Sequence, residues 1–92
     1  MNILEQFRLD DKVAIVTGGA MGLGQAMATA LAQAGANIVI ADIREDVAEA
    51  TATTIRETEQ VKTTALKVDV TNPEDVQKMV DDVVEEYGKI DI

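Results

Sequence analysis

Apolar and polar positions along this chain switch repeatedly between two spacings. Val13-Ala14-Ile15-Val16 is a short unbroken apolar run between Lys12 and Thr17, and glycines follow it. A strand buried on both faces has this pattern. From Leu23 onward the spacing becomes helical: Leu23, Met27, Ala30, Leu31 and Ala34 recur three or four apart, and Gly35 is placed to end the helix. Asn37 to Asp42 repeats the buried-strand pattern around Ile38-Val39-Ile40-Ala41. Arg44 to Glu59 is polar and alanine-rich and predicts a helix, although Thr51, Thr53 and Thr54 weaken its propensity. Thr64 to Val70 predicts a third strand, whose polar positions Lys67 and Asp69 suit a sheet edge.

The last helix carries the fullest set of signals. Asn72 is a natural N-cap, Pro73 suits the first helical position, and Glu74 and Asp75 complement the positive end of the helix dipole. Val76, Met79, Val80, Val83, Val84 and Tyr87 form one apolar stripe, and Gly88 ends the helix. Ile90-Asp91-Ile92 reads as the opening of a fourth strand. Strand and helix thus alternate throughout, which demands crossover connections and parallel strands. The predicted fold class is α/β, a Rossmann-type doubly wound parallel sheet truncated at the start of its fourth strand. Three and a half strands leave one sheet edge unpaired and one helix layer incomplete, so the chain is expected to be the front part of a larger domain.

Composition narrows the chemistry. The 92 residues contain no cysteine, histidine, serine or tryptophan. Ser-His and Cys-His pairs, thiolate or imidazole metal sites and disulfides are therefore excluded for these residues. The net charge of −9 argues against nucleic acid or an anionic membrane as partner. Most of that charge falls after residue 44, where solvated helix faces account for it, and the nearly neutral front suits an anionic ligand. The apolar runs are too short to span a bilayer. Met1-Asn2-Ile3-Leu4-Glu5 does not resemble a signal peptide, so a cytoplasmic location is expected.

The candidate site is the glycine-rich turn Thr17-Gly18-Gly19-Ala20-Met21-Gly22-Leu23-Gly24, which joins the first strand to the first long helix. Glycines there let the chain turn through positive φ, let the backbone approach a pyrophosphate, and leave helix N-terminal amides facing the anion. Turns use glycine freely. This one, however, has a strand before it, a helix after it and an acidic residue, Asp42, at the end of the next strand. There a carboxylate can accept hydrogen bonds from both adenosine ribose hydroxyls and repel a 2′-phosphate, favouring NAD over NADP. Alternatively, Asp42 merely caps the following helix.

The glycines run Gly18-x-x-x-Gly22-x-Gly24 after Thr17, rather than G-x-G-x-x-G. This T-G-x-x-x-G-x-G form closely resembles the short-chain dehydrogenase/reductase family, and the likeness extends over essentially the whole chain. The resemblance implies that residues 1–92 are the N-terminal part of a single NAD(P)-binding domain. It implies that backbone amides near Gly22 and Gly24 hold the pyrophosphate, with Met21 and Leu23 at variable positions beside the cofactor. Family members that use NADP tend to carry a basic residue just after the ribose acid or inside the loop; here those places hold Ile43 and Met21, although Arg44 is close. Asp69 and Val70 resemble the family's adenine-contacting pair. Tyr87-Gly88-Lys89-Ile90-Asp91-Ile92 resembles the approach to its fourth strand.

Family chemistry is hydride transfer between the nicotinamide and a secondary alcohol or ketone, with a tyrosine, a lysine four residues later and a serine. Tyr87 is followed four residues later by Asp91 and completes the apolar stripe of its helix. No catalytic residue is therefore assigned, and these residues alone are expected to be inactive. The look of Phe7–Lys12 and of Gly22–Gln25 is nearest to sugar, sugar-acid and polyol dehydrogenases, while a 3-oxoacyl or steroid-like substrate stays open. Small-molecule cofactor and substrate are the implied partners, and the family's tetramers and dimers imply a homo-oligomer. Other readings are a flavin-binding domain, a methyltransferase, or a nonenzymatic nucleotide-binding or assembly chain.

Overall fold

The computed structural model describes residues 3–92, with side chains from residue 5 onward. In chain order the elements are α1 (Ile3–Gln6), β1 (Val13–Thr17), α2 (Gly22–Gln33), β2 (Asn37–Asp42), α3 (Glu45–Glu59), β3 (Thr63–Lys67) and α4 (Pro73–Tyr87). The three strands form one parallel sheet in the order β1-β2-β3. Its register sets Val13 opposite Asn37 and Ile38 opposite Thr63.

Strand pleating divides the apolar runs between two cores. Ala14, Val16, Ile38 and Ile40 face one side and pack with Ala28 and Ala32 of α2 and Ala48, Ala52 and Ile55 of α3. Val13, Val39 and Ala41 face the other side, where Met79 and Val83 of α4 cover them together with Val68. Helices on both faces of a parallel sheet make this the expected doubly wound α/β fold. β3 lies at the edge, as its polar interruptions suggest, with Thr63 to Leu66 only half-buried and Lys67 exposed.

Three details differ from the sequence expectation. First, β3 spans Thr63–Lys67 rather than Thr64–Val70. The Val68 amide still donates to the Asp42 carbonyl at 3.1 Å, but Asp69 then turns the chain through its own hydrogen bonds to Thr71. Second, α2 does not bury the stripe beginning at Leu23. Leu23 and Met27 are exposed, and the buried residues are Ala28 and Ala32. With Gly24 they form a small-residue row at i, i+4 and i+8, which lets the helix approach the sheet closely. Third, Val84 falls outside the buried face of α4.

The ends of α4 follow the sequence. Asn72 accepts hydrogen bonds from the amides of Glu74 and Asp75, and Gly88 ends the helix in the left-handed conformation. Beyond it the chain runs beside β1 on the side away from β2. The Ile15 amide donates to the Ile92 carbonyl at 2.9 Å, the Asp91 amide donates to the Val13 carbonyl at 2.9 Å, and the Asp91 carboxylate accepts from the Val13 amide. The expected opening of a fourth strand reaches only these hydrogen bonds to β1: among the described residues the sheet has three strands, and residues 90–92 form none.

Candidate cofactor-binding site

The turn between β1 and α2 needs its glycines for two different physical reasons. Gly18 and Gly22 have φ of +67° and +62°, in the region that costs most residues strain. At Gly24 the requirement is space. A Cβ there would collide with the Gly18 carbonyl oxygen and stand 2.8 Å from its carbon. Gly24 thus seats the first turn of α2 directly on the entry to the loop. Met21, the N-cap, offers no side-chain hydrogen bond to the helix, so the first-turn amides are available to an anion.

Asp42 organises the crevice from the end of β2. Its Oδ2 accepts from the Ala20 amide at 3.3 Å, and its Oδ1 accepts from the Arg44 amide at 3.0 Å, beside the start of α3. Asp42 therefore closes the turn before α3 without bonding an amide of the helix itself, and the same carboxylate reaches the loop. The Gly18 amide donates to the Ala41 carbonyl at 2.8 Å, tying the loop entry to β2. Asp69 is pinned from its other side: Oδ1 accepts from the Thr71 amide at 2.9 Å and the Thr71 hydroxyl at 2.6 Å. Those two bonds, the hydroxyl's first, hold the Asp69 carboxyl below the ordinary aspartate range, so it is ionised and acts as an acceptor at neutral pH.

Five of the expected residues, Gly18, Asp42, Ile43, Asp69 and Val70, line one cleft of about 220 Å³ with Ala41 and Val68. It opens at the carboxyl ends of the strands, where ligands of open α/β sheets bind. Two larger depressions, about 530 Å³ against β3 and α4 and about 640 Å³ at the opposite end of the strands, contain none of these five. Gly22 and Gly24 stand at the start of α2. Thr17 ends β1 with its side chain exposed, and Met21 and Leu23 are exposed on the loop and first turn, outside the cleft. The Arg44 guanidinium rests against the Met21 sulfur.

Two residues given no individual role from the sequence also contribute. Gly19 is buried, and a Cβ there would stand 2.9 Å from the Val16 carbonyl oxygen. Thr51, which in the sequence only weakens a helix, is buried, and its hydroxyl donates to the Ala20 carbonyl at 2.6 Å. Tyr87 behaves as its apolar stripe suggests. It packs against the α4 side of the sheet, pairs its hydroxyl with Thr64 at 2.9 Å, and has its pKa raised, chiefly by burial.

A parallel sheet with helices on both faces and a glycine turn at its first crossover define a Rossmann-type α/β protein. Residues 12–92 match the short chain dehydrogenase family, and the chain belongs to it. Relatives include an NAD-dependent glycerol dehydrogenase of Listeria innocua, 42% identical over 88 residues, which cover 96% of this chain and 33% of that protein. A sorbose reductase of Candida albicans is 43% identical over 91 residues, covering 99% of this chain and 32% of the relative. Among solved structures, a short-chain dehydrogenase/reductase from Mycobacterium marinum superposes with a TM-score of 0.93 at 35% identity, covering 99% of this chain and 36% of that one. An NAD⁺-bound xylitol dehydrogenase gives 0.85 at 36% identity, covering 89% and 31%. The chain spans about a third of the length of the relatives it matches.

The residues present fit the adenosine half of a nicotinamide dinucleotide. Open amides at a helix start suit a pyrophosphate, a carboxylate at a strand end suits a ribose diol, and an apolar-walled cleft bearing a second carboxylate suits an adenine.

Proposed function

We propose that these residues are the NAD-binding part of a short-chain oxidoreductase that transfers a hydride between the cofactor and a secondary alcohol or ketone. The loop from Thr17 to Gly24 would hold the pyrophosphate through the amides around Gly22. Asp42 would accept from the ribose hydroxyls, with Ile43 beside it. Asp69 and the Val70 amide would address the adenine. When bound, the cofactor supplies the hydride acceptor or donor; this chain's residues orient its adenosine end and exclude the wrong nucleotide. Catalytic residues are not assigned to these 92 positions. A sugar- or polyol-type substrate is favoured by the glycerol dehydrogenase, sorbose reductase and xylitol dehydrogenase among the similar proteins.

The observation that carries the reading is the convergence of Asp42 with Gly18, Asp69 and Val70 on one cleft. NAD is preferred over NADP because a 2′-phosphate beside the Asp42 carboxylate would be repelled. Arg44, turned toward Met21, is the basic residue nearest to offsetting that repulsion. Titration calorimetry of the full natural chain with NAD, NADP and flavin tests this. NAD binding at least tenfold tighter than NADP is expected. Equal affinities would remove the role given to Asp42, while flavin binding, or self-association without nucleotide binding, would replace the reading altogether.

A further inference from the structure

Ala20 is held through both of its backbone polar groups, which lie on two successive peptide planes, and only one of the grips belongs to the residues assigned above. Its N–H donates to Asp42 Oδ2 at 3.3 Å. Its carbonyl accepts the Thr51 hydroxyl at 2.6 Å. Ala20 and Thr51 are both buried, at 1% and 5% exposure. Thr51 belongs to the face of α3 that packs on the sheet, flanked by Ala48, Ala52 and Ile55 in the same buried set. From that position it reaches a loop 31 residues earlier in the chain. Threonine's hydroxyl usually returns to the carbonyl of the preceding turn of its own helix, as Thr54 does to Ala50 and Thr58 to Thr54. Thr51 instead directs its hydroxyl out of the helix into the glycine turn. No other buried polar side chain is present among the described residues.

We infer that Thr51 is a positioning residue for cofactor selectivity: its hydroxyl fixes the Ala20–Met21 peptide and with it the Ala20 backbone, whose N–H, on the preceding peptide, in turn holds the Asp42 carboxylate at the ribose position. This rests on the cofactor reading given above. A buried carbonyl left without a donor favours rotation of its peptide toward another partner. Rotation of the Ala20–Met21 peptide would release the Ala20 Cα from its anchor on α3, and the resulting shift of the loop would carry the Ala20 N–H away from Asp42 Oδ2 and leave that carboxylate held only by the Arg44 amide. The first-turn amides at Gly22 and Gly24 belong to α2 and are common to NAD and NADP. Losing the Thr51 hydroxyl should therefore change the ratio of the two affinities, beyond any general weakening.

The test compares Thr51→Val, which keeps the shape and removes the hydroxyl, with Thr51→Ser, which keeps the hydroxyl. In the full natural chain, Thr51→Val is expected to weaken NAD about tenfold, weaken NADP less, and so narrow the NAD/NADP ratio severalfold. Thr51→Ser should stay within about twofold of the unaltered chain on both counts. A Thr51→Val chain that loses thermal stability but keeps its NAD affinity and ratio would overturn the inference and leave the hydroxyl purely structural. If Thr51→Val does not fold, the Thr51 methyl resonance of the unaltered chain decides. It should shift on NAD addition in step with the Gly22 amide; a methyl indifferent to NAD while Gly22 moves would also overturn it. Absence of NAD binding by the unaltered chain would be a different failure, that of the cofactor reading itself.

Discussion

The glycines of the loop make separable predictions, because one set is required by dihedral angle and another by contact. Gly24→Ala places a methyl group in the Gly18 carbonyl, so α2 must retreat from the loop. Overpacking of this kind typically costs about 1–3 kcal/mol, and the expected outcome is a lowered melting temperature together with lost nucleotide affinity. Gly22→Val meets no neighbour but forces a β-branched residue to φ +62°. Nucleotide titration should then show binding abolished, while circular dichroism shows the helical signal largely kept. Asp42→Ala removes a charged acceptor, an interaction generally worth about 1.5–3 kcal/mol. The NAD/NADP affinity ratio should fall at least tenfold, and an unchanged ratio would take Asp42 away from the ribose. Asp42 and the glycines could be singled out because each has a local signature, a strand end or a fixed spacing, whereas Asp69 was singled out only through the family resemblance. Thr51 could not be, because the partner that gives it meaning lies in another element and no spacing within its own helix points there.

Among the elements, legibility followed how much of the stabilising interaction was local. The start of α4 could be read from Asn72, Pro73, Glu74 and Asp75 because a cap acts within a single turn. Replacing Asn72 with alanine should cost about 1 kcal/mol in thermal or denaturant unfolding. The buried face of α2 was misread for the opposite reason. Large apolar side chains mark a core-facing stripe when helices pack at ordinary distance, but here close approach selects Gly24, Ala28 and Ala32 and turns Leu23 and Met27 outward. The end of β3 was overestimated because Val68 and Val70 continue its apolar alternation. What stops the ladder is Asp69 bonding to Thr71, a side-chain event superimposed on a good strand pattern.

At the scale of the whole molecule, alternating strand and helix patterns were enough to give the parallel sheet, its two covered faces and β3 at its edge. The substrate was not readable to the same degree, since the similar dehydrogenases and reductases are about three times as long as these residues. Among the described residues no helix is long and apolar enough to cross a membrane. Intact-mass measurement of the natural product is informative here. A mass near 9.8 kDa would direct attention to a separate chain that completes the sheet, and a much larger mass to a dehydrogenase with its catalytic groups in the same chain.

The bond between Asp91 and Val13 bears on the order in which the sheet is assembled. It joins residues 78 apart in sequence, whereas β1 meets β2, and β2 meets β3, across a single intervening helix. Chain-closure entropy grows with the length of the closed segment, so the local crossovers are favoured to form first and the contact at residue 91 to follow. The Val13 amide, with help from Lys89, depresses the Asp91 carboxyl below the usual aspartate range. Its contribution is therefore complete above the unfolded aspartate value of about 3.9 and fades as the pH falls through the lower folded-state value. Asp91→Asn should accordingly accelerate unfolding at neutral pH while leaving the refolding rate nearly unchanged, and the difference between variant and parent should shrink in acid. Equal slowing of refolding would instead mean that the chain begins folding by joining its two most distant segments.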